Sequence, residues 1–173
     1  KSGQVQEVNV RDRRLVRLVR RMHQLPGQAL FQYRDADGNL QPLDSGAVNA
    51  YLREHMGEDF TAKDFRTWGG TLAAFSYLKK NRESDEDPDK VVLAAVDEAA
   101  ETLGNTRTVA RDHYVHPHIL ESFADDTFAK YYKKLKPRVV RGLYKSETEM
   151  LDFLDKLFQT EFDVLAVKNG KHA

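Results

Sequence analysis

The stretch Thr61-Ala-Lys-Asp-Phe-Arg-Thr-Trp68 decides where a long helix begins, and the rest of the chain is interpreted around it. Thr61 followed by Asp64 approximates a capping box, with Asp in place of the usual Glu or Gln. Lys63 and Arg66 then fall in the first two turns. Because a helix N-terminus already carries partial positive charge, two cations there are poor for helix stability but suited to binding a phosphate.

A second stretch, Asn105-Thr-Arg-Thr-Val-Ala-Arg-Asp-His-Tyr114-Val-His-Pro117, places a tyrosine among amide, guanidinium and imidazole groups. A tyrosine phenol is a weak nucleophile at neutral pH. It can attack a phosphodiester when donors stabilise the charge on the non-bridging oxygens. Arginine suits this through its planar fork, Asn105 adds a neutral donor, and a lysine near the leaving oxygen can act as general acid.

The composition is that of one domain, or of one domain with a small appendage. The chain has 173 residues, 40% of them hydrophobic, and no cysteine. Disulfides, thiolate catalysis and cysteine-ligated zinc are therefore excluded. No apolar run approaches a membrane span, and no signal peptide is visible. We expect a cytoplasmic protein.

Charge is segregated along a chain whose formal net charge is zero. Six arginines crowd residues 11–21 with only Asp12 opposing them, and residues 127–146 hold seven cations and no acid. The seven are Lys130, Lys133, Lys134, Lys136, Arg138, Arg141 and Lys145. Such segregation gives a protein two electrostatic faces, although a solvated helix face explains any one cluster taken alone.

Helix signals dominate, and the sequence predicts a mainly α fold with a small β remnant at its N-terminus. Residues 1–10 alternate as a strand does, and a turn signal at residues 35–39 separates two apolar runs. Apolar spacing and capping residues predict helices from there on. They cover residues 12–24, 45–56, 61–81, 88–103, 106–114, 118–123, 128–135 and 147–158.

Helical spacing also predicts which side chains are buried. Phe65, Trp68 and Leu72 share one stripe of the helix at residues 61–81, and Tyr51 is expected to face inward from the preceding helix. The pair Gly69-Gly70 costs helix stability relative to alanine. We interpret it as a sign of close packing against a neighbour or a ligand.

Two possible metal sites are set aside. A calcium loop at residues 35–39 would need a ligand where Tyr33 stands and a glutamate where Asp44 stands. A histidine cluster follows Asp112, but its spacing is poor and Pro117 interrupts the helix. The cluster comprises His113, His116 and His118. We therefore expect no metal and no cofactor.

Together, the two stretches resemble type IB DNA topoisomerases of the bacterial and poxvirus-like group, over residues 1–158. The resemblance rests on the first stretch, on an asparagine nine residues before Tyr114, and on Ala-Arg-x-x-Tyr-x-His-Pro around that tyrosine. Leu25-Pro-Gly-Gln28 and Val48-Asn-x-Tyr-Leu-Arg53 add to it. It implies the helical catalytic domain of these enzymes, which tyrosine recombinases share, and a bacterial, nucleoid-associated location. The implied partner is double-stranded DNA, relaxed without metal or ATP through a 3′-phosphotyrosyl intermediate that is then religated.

The resemblance also implies roles for individual residues. Tyr114 is the nucleophile, Arg66 belongs to the Lys-x-x-Arg motif that holds the scissile phosphate, and Asn105 binds a non-bridging oxygen. Lys63 matches a lysine near the same phosphate. Lys1 falls where the family has a Gly-Lys-x-Gly/Lys hairpin turn, whose lysine is the general acid. Beyond the family motifs, two further arginines are candidates for phosphate contacts, namely Arg107 and Arg111.

The sequence departs from the family in two respects. It contains neither the arginine that the family has upstream of the hairpin nor the small N-terminal clamp domain, and it has Asp112-His113 where relatives often show Lys-Ser. We expect residues 1–163 to form a catalytic domain incomplete at its N-terminal side, with residues 164–173 as a tail. The isolated chain is expected to be a monomer with little or no relaxation activity.

Two other functions remain open. A tyrosine recombinase would share the fold and the nucleophile, but that family typically has His-x-x-Arg where this chain has Lys63-Asp-Phe-Arg66. A non-catalytic helical DNA-binding module would use the basic segments alone, and it would never form a covalent bond to DNA.

Overall fold

The computed structural model describes residues 11–57 and 59–169, with side chains as far as residue 159. Within these ranges it contains eight helices and one two-stranded sheet, so the predicted mainly α class is confirmed. The predicted strand at residues 1–10, which includes Lys1, lies outside the described residues. The chain divides into two compact units, Lys1–Asp64 and Phe65–Ala173, and one catalytic domain over residues 1–163 stays a prediction.

The first unit contains two helices and a β-hairpin in its described part. They are α1 (Arg13–His23), β1 (Gln32–Arg34), β2 (Leu40–Pro42) and α2 (Ser45–Met56). The carboxylates of Asp12 and Asp44 cap the two helices, a role in which aspartate is common. In the hairpin turn, the side chain of Gln41 and the N–H of Asn39 donate to Asp35 and hold the pKa of that carboxyl below its usual value. This acid thus serves the turn itself.

The prediction that Tyr51 faces inward is wrong. Its side chain is 60% exposed and stacks on the ring of His55, with 4.1 Å between ring centroids. No described residue of this unit is buried, because α1, α2 and the hairpin do not enclose a core among the residues described there. Helical spacing predicts which residues form the apolar stripe of α2, but it does not predict whether another element covers that stripe.

Six helices follow, and at the start of the first of them Asp64 reaches back to Thr61 as in one half of the predicted capping box. They are α3 (Ala62–Lys80), α4 (Pro88–Leu103), α5 (Arg107–His113), α6 (Pro117–Ala124), α7 (Thr127–Tyr132) and α8 (Lys145–Asn169). The N–H of Thr61 donates to the carboxylate of Asp64 at 2.7 Å, and this bond, with that from the Thr61 hydroxyl, lowers the pKa of Asp64. Gly104 ends α4 in the left-handed conformation, with φ 63°, as glycine does after many helices.

The buried core lies in the second unit. Phe75 of α3, Phe128 of α7 and Phe153 of α8 meet with ring centroids 4.6 to 5.7 Å apart. Trp68 packs against this core and donates from Nε1 to Glu147 at 2.8 Å. Phe65, however, is 52% exposed, so its predicted burial is wrong. It precedes Gly70, the first fully buried position of α3, by more than one turn.

The last helix is longer than the sequence indicates. It runs to Asn169, whereas the apolar spacing predicted an end at Phe158 and a loose tail from residue 164. Helix propensity allows the helix to continue beyond residue 158, where the apolar residues no longer follow a regular helical spacing. No helix in the described ranges combines the length and apolarity needed to cross a membrane.

Candidate active site

Arg66 lies one turn into α3, and its guanidinium group has two neighbours in the second unit. Nη2 donates to the carbonyl oxygen of Leu103 at 3.0 Å, which is one of the acceptors that the end of α4 leaves unpaired. The guanidinium carbon lies 4.9 Å from the centre of the Tyr114 ring, within the range of a cation–π contact. A guanidinium has five N–H donors, so most of them remain available beside the tyrosine.

Tyr114 is the residue at which α5 ends. Its N–H donates to the carbonyl of Ala110 at 3.0 Å, and its φ and ψ of −135° and −10° leave the helical region. Its backbone packs directly on α3. A side chain at Gly70 would meet the Tyr114 carbonyl oxygen at 2.8 Å, and the hydroxyl of Thr71 donates to that same oxygen at 3.2 Å.

Asn105 stands in the turn between α4 and α5, two residues after Leu103. Its backbone N–H donates to Ala100 at 2.9 Å. Its side-chain amide nitrogen, Nδ2, is buried and finds no hydrogen-bond acceptor among the described residues. Buried donors are nearly always paired in proteins, so the unpaired Nδ2 is unusual. It belongs to the residue two positions after Leu103, whose carbonyl oxygen accepts from Arg66.

Two of the predicted residues are thus in contact, Arg66 and Tyr114, and Arg66 also contacts Leu103, two positions before Asn105. Lys1 is outside the described residues. Lys63 is exposed in the first turn of α3. Of the two arginines on α5, Arg107 makes a two-point ion pair with Asp97, with N–O distances of 2.5 and 2.6 Å, whereas Arg111 is exposed.

The ion pair of Arg107 has a clear electrostatic effect. Its hydrogen bonds hold the pKa of the Asp97 carboxyl below the usual value and raise the pKa of the guanidinium. Both side chains are about half exposed, so the pair contributes little to stability. For Arg107 to bind a phosphate, it would have to leave or share this carboxylate, and Arg111 has no such competitor among the described residues.

The histidines near the tyrosine are placed for packing. The rings of His116 and His118 lie 5.2 Å apart and both meet Phe158 edge-on. His118 also pairs with Glu121 at 2.9 Å. Among the described residues, no group of three histidine or acidic side chains is arranged to hold a metal ion.

The arrangement can hold an anion against a phenol. Arg66 has charged N–H donors, Asn105 has a neutral amide donor, and Tyr114 has a phenol oxygen. Sequence analysis did not single out Thr71, which lacks any local signal because both its partners lie more than forty residues away along the chain. The glycine pair in the helix did indicate close packing, and this holds at Gly70. At Gly69, by contrast, no atom lies within 4 Å of the position that a Cβ would occupy.

The chain is similar to known proteins over most of its length. Residues 2–139 match the family model described as eukaryotic DNA topoisomerase I, catalytic core. A DNA topoisomerase 1B from Acanthamoeba polyphaga mimivirus is 30% identical over 135 residues, which cover 73% of this chain. The chain spans 40% of the length of that relative. Because the relative is viral, it gives no support to the bacterial, nucleoid-associated location expected from the sequence.

Proposed function

Because the chain belongs to the DNA topoisomerase I catalytic-core family, we propose that it is the catalytic part of a type IB DNA topoisomerase, an isomerase that relaxes supercoiled DNA. The observation that carries this proposal is the contact between Arg66 and the ring of Tyr114, at 4.9 Å. The residue proposed to bind the phosphate and the proposed nucleophile are 48 positions apart in sequence, yet their side chains are in contact.

The proposed chemistry is a transesterification at a DNA phosphate. The phenol oxygen of Tyr114 bonds to phosphorus while its proton passes to water, and the bond from phosphorus to the 5′ oxygen breaks. That oxygen takes up a proton and departs as a 5′-hydroxyl, so that the DNA 3′ end is held on the tyrosine. Reversal of the step religates the strand. One phosphoester bond replaces another, so neither ATP nor an external oxidant or reductant is needed.

Donors for the phosphate oxygens come from two elements. The N–H groups of Arg66 that Leu103 does not engage can grip the non-bridging oxygens in the fork geometry that guanidinium provides. We propose that Asn105 donates from Nδ2 to a further oxygen; because this nitrogen is buried and has no acceptor among the described residues, its side chain must turn outward when the phosphate binds. The guanidinium of Arg66 is held in place before the reaction and can stabilise developing charge without reorganisation. We propose Lys1 as the general acid and Lys63 as a further contact to the same phosphate.

We propose that exposed cations elsewhere bind the duplex. Arg111, which is exposed and has no carboxylate partner among the described residues, is one candidate for a phosphate contact, and Arg107 is a second if it exchanges Asp97 for DNA. All seven cations of residues 127–146 are exposed. Phosphate contacts of this kind supply most of the affinity for DNA and position the duplex without reading its sequence.

We also propose that the chain acts as a monomer in the cytoplasm and that sequence outside it completes the enzyme. The viral relative is long enough to contain more than this chain matches. Further sequence of that kind would supply the upstream arginine and the clamp domain that the family resemblance implies. We therefore expect the chain by itself to relax plasmid DNA weakly or not at all.

The test is a denaturing gel with a nicked duplex, in which loss of the short strand downstream of the cleavage site traps the covalent product. We expect the chain to form a protein–DNA adduct in the presence of a chelator and without ATP, and Tyr114→Phe to bind DNA but form none. Tyr144→Phe is the matched control, because Tyr144 is 80% exposed and is not part of the site. A full-length parent that binds DNA and yields no adduct would overturn the proposal.

A further inference from the structure

The hydroxyl of Thr71 lies between two backbone groups on either side of Val115. It donates to the carbonyl oxygen of Tyr114 at 3.2 Å and accepts from the N–H of His116 at 3.1 Å. Thr71 is 4% exposed and belongs to α3. One side chain therefore satisfies both a donor and an acceptor of the segment that carries the nucleophile, and a hydroxyl can do both at once.

The backbone of α3 comes equally close to this segment. A Cβ at Gly70 would lie 2.8 Å from the Tyr114 carbonyl oxygen and 2.9 Å from the side chain of Leu103. Only hydrogen fits there, because real Cβ atoms do not approach a backbone oxygen so closely. Gly70 and Thr71 together form a bracket, in which the first allows the contact and the second fixes it with hydrogen bonds.

Tyr114 depends on this bracket, since it has left the regular geometry of α5. Its own N–H and that of Val115 both donate to the carbonyl of Ala110, which ties the segment at one end. Beyond that point Pro117 begins α6 and has no N–H to contribute. The carbonyl of Tyr114 and the N–H of His116 lie between these two ends, outside the regular bonding of either helix, and Thr71 engages both.

The same helix also carries Arg66. Arg66 and Gly70 are one turn apart, and Thr71 is the next residue, so the guanidinium and the bracket are separated by a few residues of rigid α-helix, each rising about 1.5 Å. Movement of the Tyr114 backbone relative to α3 would therefore change the distance between the nucleophile and the group proposed to hold its phosphate.

We propose that Thr71 is a positioning residue for Tyr114. It touches neither DNA nor the reacting atoms, and it acts by fixing the backbone of the nucleophile to the helix that carries Arg66. The inference rests on the proposed function for its kinetic consequence, because displacement of a reacting group by about 1 Å can cost on the order of a hundredfold in rate.

The experiment compares Thr71→Val, which keeps the shape and removes the hydroxyl, with Thr71→Ser, which keeps the hydroxyl. The control is Thr148→Val, because Thr148 is also buried and donates to a backbone carbonyl, that of Lys145, at 2.9 Å, but lies in α8. With saturating nicked duplex, we expect Thr71→Val to slow adduct formation and religation by a similar factor, about 10- to 100-fold. The Kd for DNA should stay within about twofold, Thr71→Ser should recover most of the rate, and Thr148→Val should retain it.

A second measurement does not depend on activity. Amide hydrogen exchange at His116 should be faster in Thr71→Val than in the wild type or in Thr71→Ser, because only the valine removes the hydroxyl that accepts from that N–H. If Thr71→Val fails to fold, Thr71→Ala replaces it in both measurements.

The outcomes separate the two proposals. A wild-type rate in Thr71→Val, or an equal loss in Thr71→Val and Thr71→Ser, overturns the positioning role. The positioning role is also overturned if Thr148→Val slows the reaction by the same factor at the same loss of melting temperature, because the rate then reports stability alone. Failure of the wild-type enzyme to form any adduct refutes the proposed function instead. Unchanged amide exchange at His116 in Thr71→Val would refute the bracket, whether or not the enzyme forms an adduct.

Discussion

The guanidinium carbon of Arg66 lies 4.9 Å from the centre of the Tyr114 ring, while its Nη2 donates to Leu103. Two different attractions thus hold one cation, one from the face of an aromatic ring and one from the carbonyl end of a helix. These two contacts do not occupy all the N–H groups of the guanidinium. The arginine is oriented before any phosphate arrives, which reduces the ordering that binding would otherwise require.

Replacement of Arg66 by lysine should therefore impair the reaction although the charge is kept. A lysine ammonium is a point charge without the planar fork; its three N–H groups diverge from one nitrogen, so it cannot present two parallel N–H groups to a phosphate as a guanidinium does. We expect Arg66→Lys to slow adduct formation at saturating DNA by about 10²- to 10³-fold. Single-turnover kinetics on a nicked duplex measure this, and a lysine variant within about threefold of the wild type would contradict the proposed role of the fork.

Gly70→Ala and Gly69→Ala should have opposite effects on stability, although the glycines are neighbours in one helix. A methyl group at Gly70 would meet the carbonyl oxygen of Tyr114 at 2.8 Å, so the packing must shift at a cost of about 1–3 kcal/mol. At Gly69 nothing lies within 4 Å, and alanine should gain up to about 1 kcal/mol of helix propensity. Urea unfolding of both variants measures the difference. Equal effects would show that α3 does not pack on the tyrosine as closely as described.

The glycine pair also marks how far the sequence alone could lead. Helix ends follow local rules, and the helix that ends at residue 103 was predicted correctly because capping requires only the few residues around each end. The pair Gly69-Gly70 predicted close packing, but which glycine needed it depends on Tyr114, more than forty positions away. Local patterns carry no information about such distances.

The same reason accounts for what the sequence missed. Tyr51 and Phe65 have the spacing of buried residues, yet burial requires a covering element, and spacing does not supply one. The family resemblance named Arg66, Asn105 and Tyr114, but the contact between guanidinium and ring follows only from how α3, α4 and α5 pack. Nothing in the sequence around Thr71 predicts its two hydrogen bonds.

Asn105→Ala should separate activity from stability. The buried Nδ2 has no acceptor among the described residues, and an unpaired buried donor costs about 1–3 kcal/mol. Its removal should therefore leave the melting temperature unchanged or raise it. Loss of a donor to the phosphate should at the same time slow adduct formation by about 10²-fold. Calorimetry and the nicked-duplex assay on the same preparation test both effects, and a clear loss of stability would indicate that the amide has a structural partner.

Lys79 and Glu149 form an ion pair between α3 and α8 whose contribution to stability should disappear at high pH. Their N–O distance is 2.5 Å, and Glu149 is 6% exposed. The hydrogen bond to Glu149 raises the pKa of Lys79 above its ordinary 10.5. A raised folded-state pKa means that the contribution is complete below pH 10.5 and is lost as the pH rises through the folded value.

A double-mutant cycle measures this contribution. Within the part of the chain that the structure describes, Lys79→Met leaves the buried carboxylate of Glu149 with only the distant Nζ of Lys145, at 3.8 Å. The substitution should cost about 3 kcal/mol. The double variant Lys79→Met/Glu149→Leu should recover much of that loss. Urea unfolding near pH 8 and again above pH 10.5 gives the comparison. The wild type should lose more stability between the two conditions than the double variant, and parallel losses would refute the assigned pH dependence.

The basic segment of residues 127–146 should appear in the salt dependence of DNA binding. Its seven cations are exposed, and the backbone N–H of Lys136 is fixed to the carboxylate of Asp152 at 2.6 Å, so the following loop is anchored to α8. Each phosphate that a cation neutralises adds about 0.9 to the magnitude of the slope of log K against log salt. Replacement of Lys133 and Lys134 by glutamine should therefore reduce that magnitude by about one for each phosphate that is no longer neutralised.

Lys90→Gln is the matched control, because Lys90 is exposed on α4 beside Asp87 and Asp89 and should not face the duplex. Slopes that are the same in the double variant, the control and the wild type would mean that this segment is a solvated helix face and does not bind DNA.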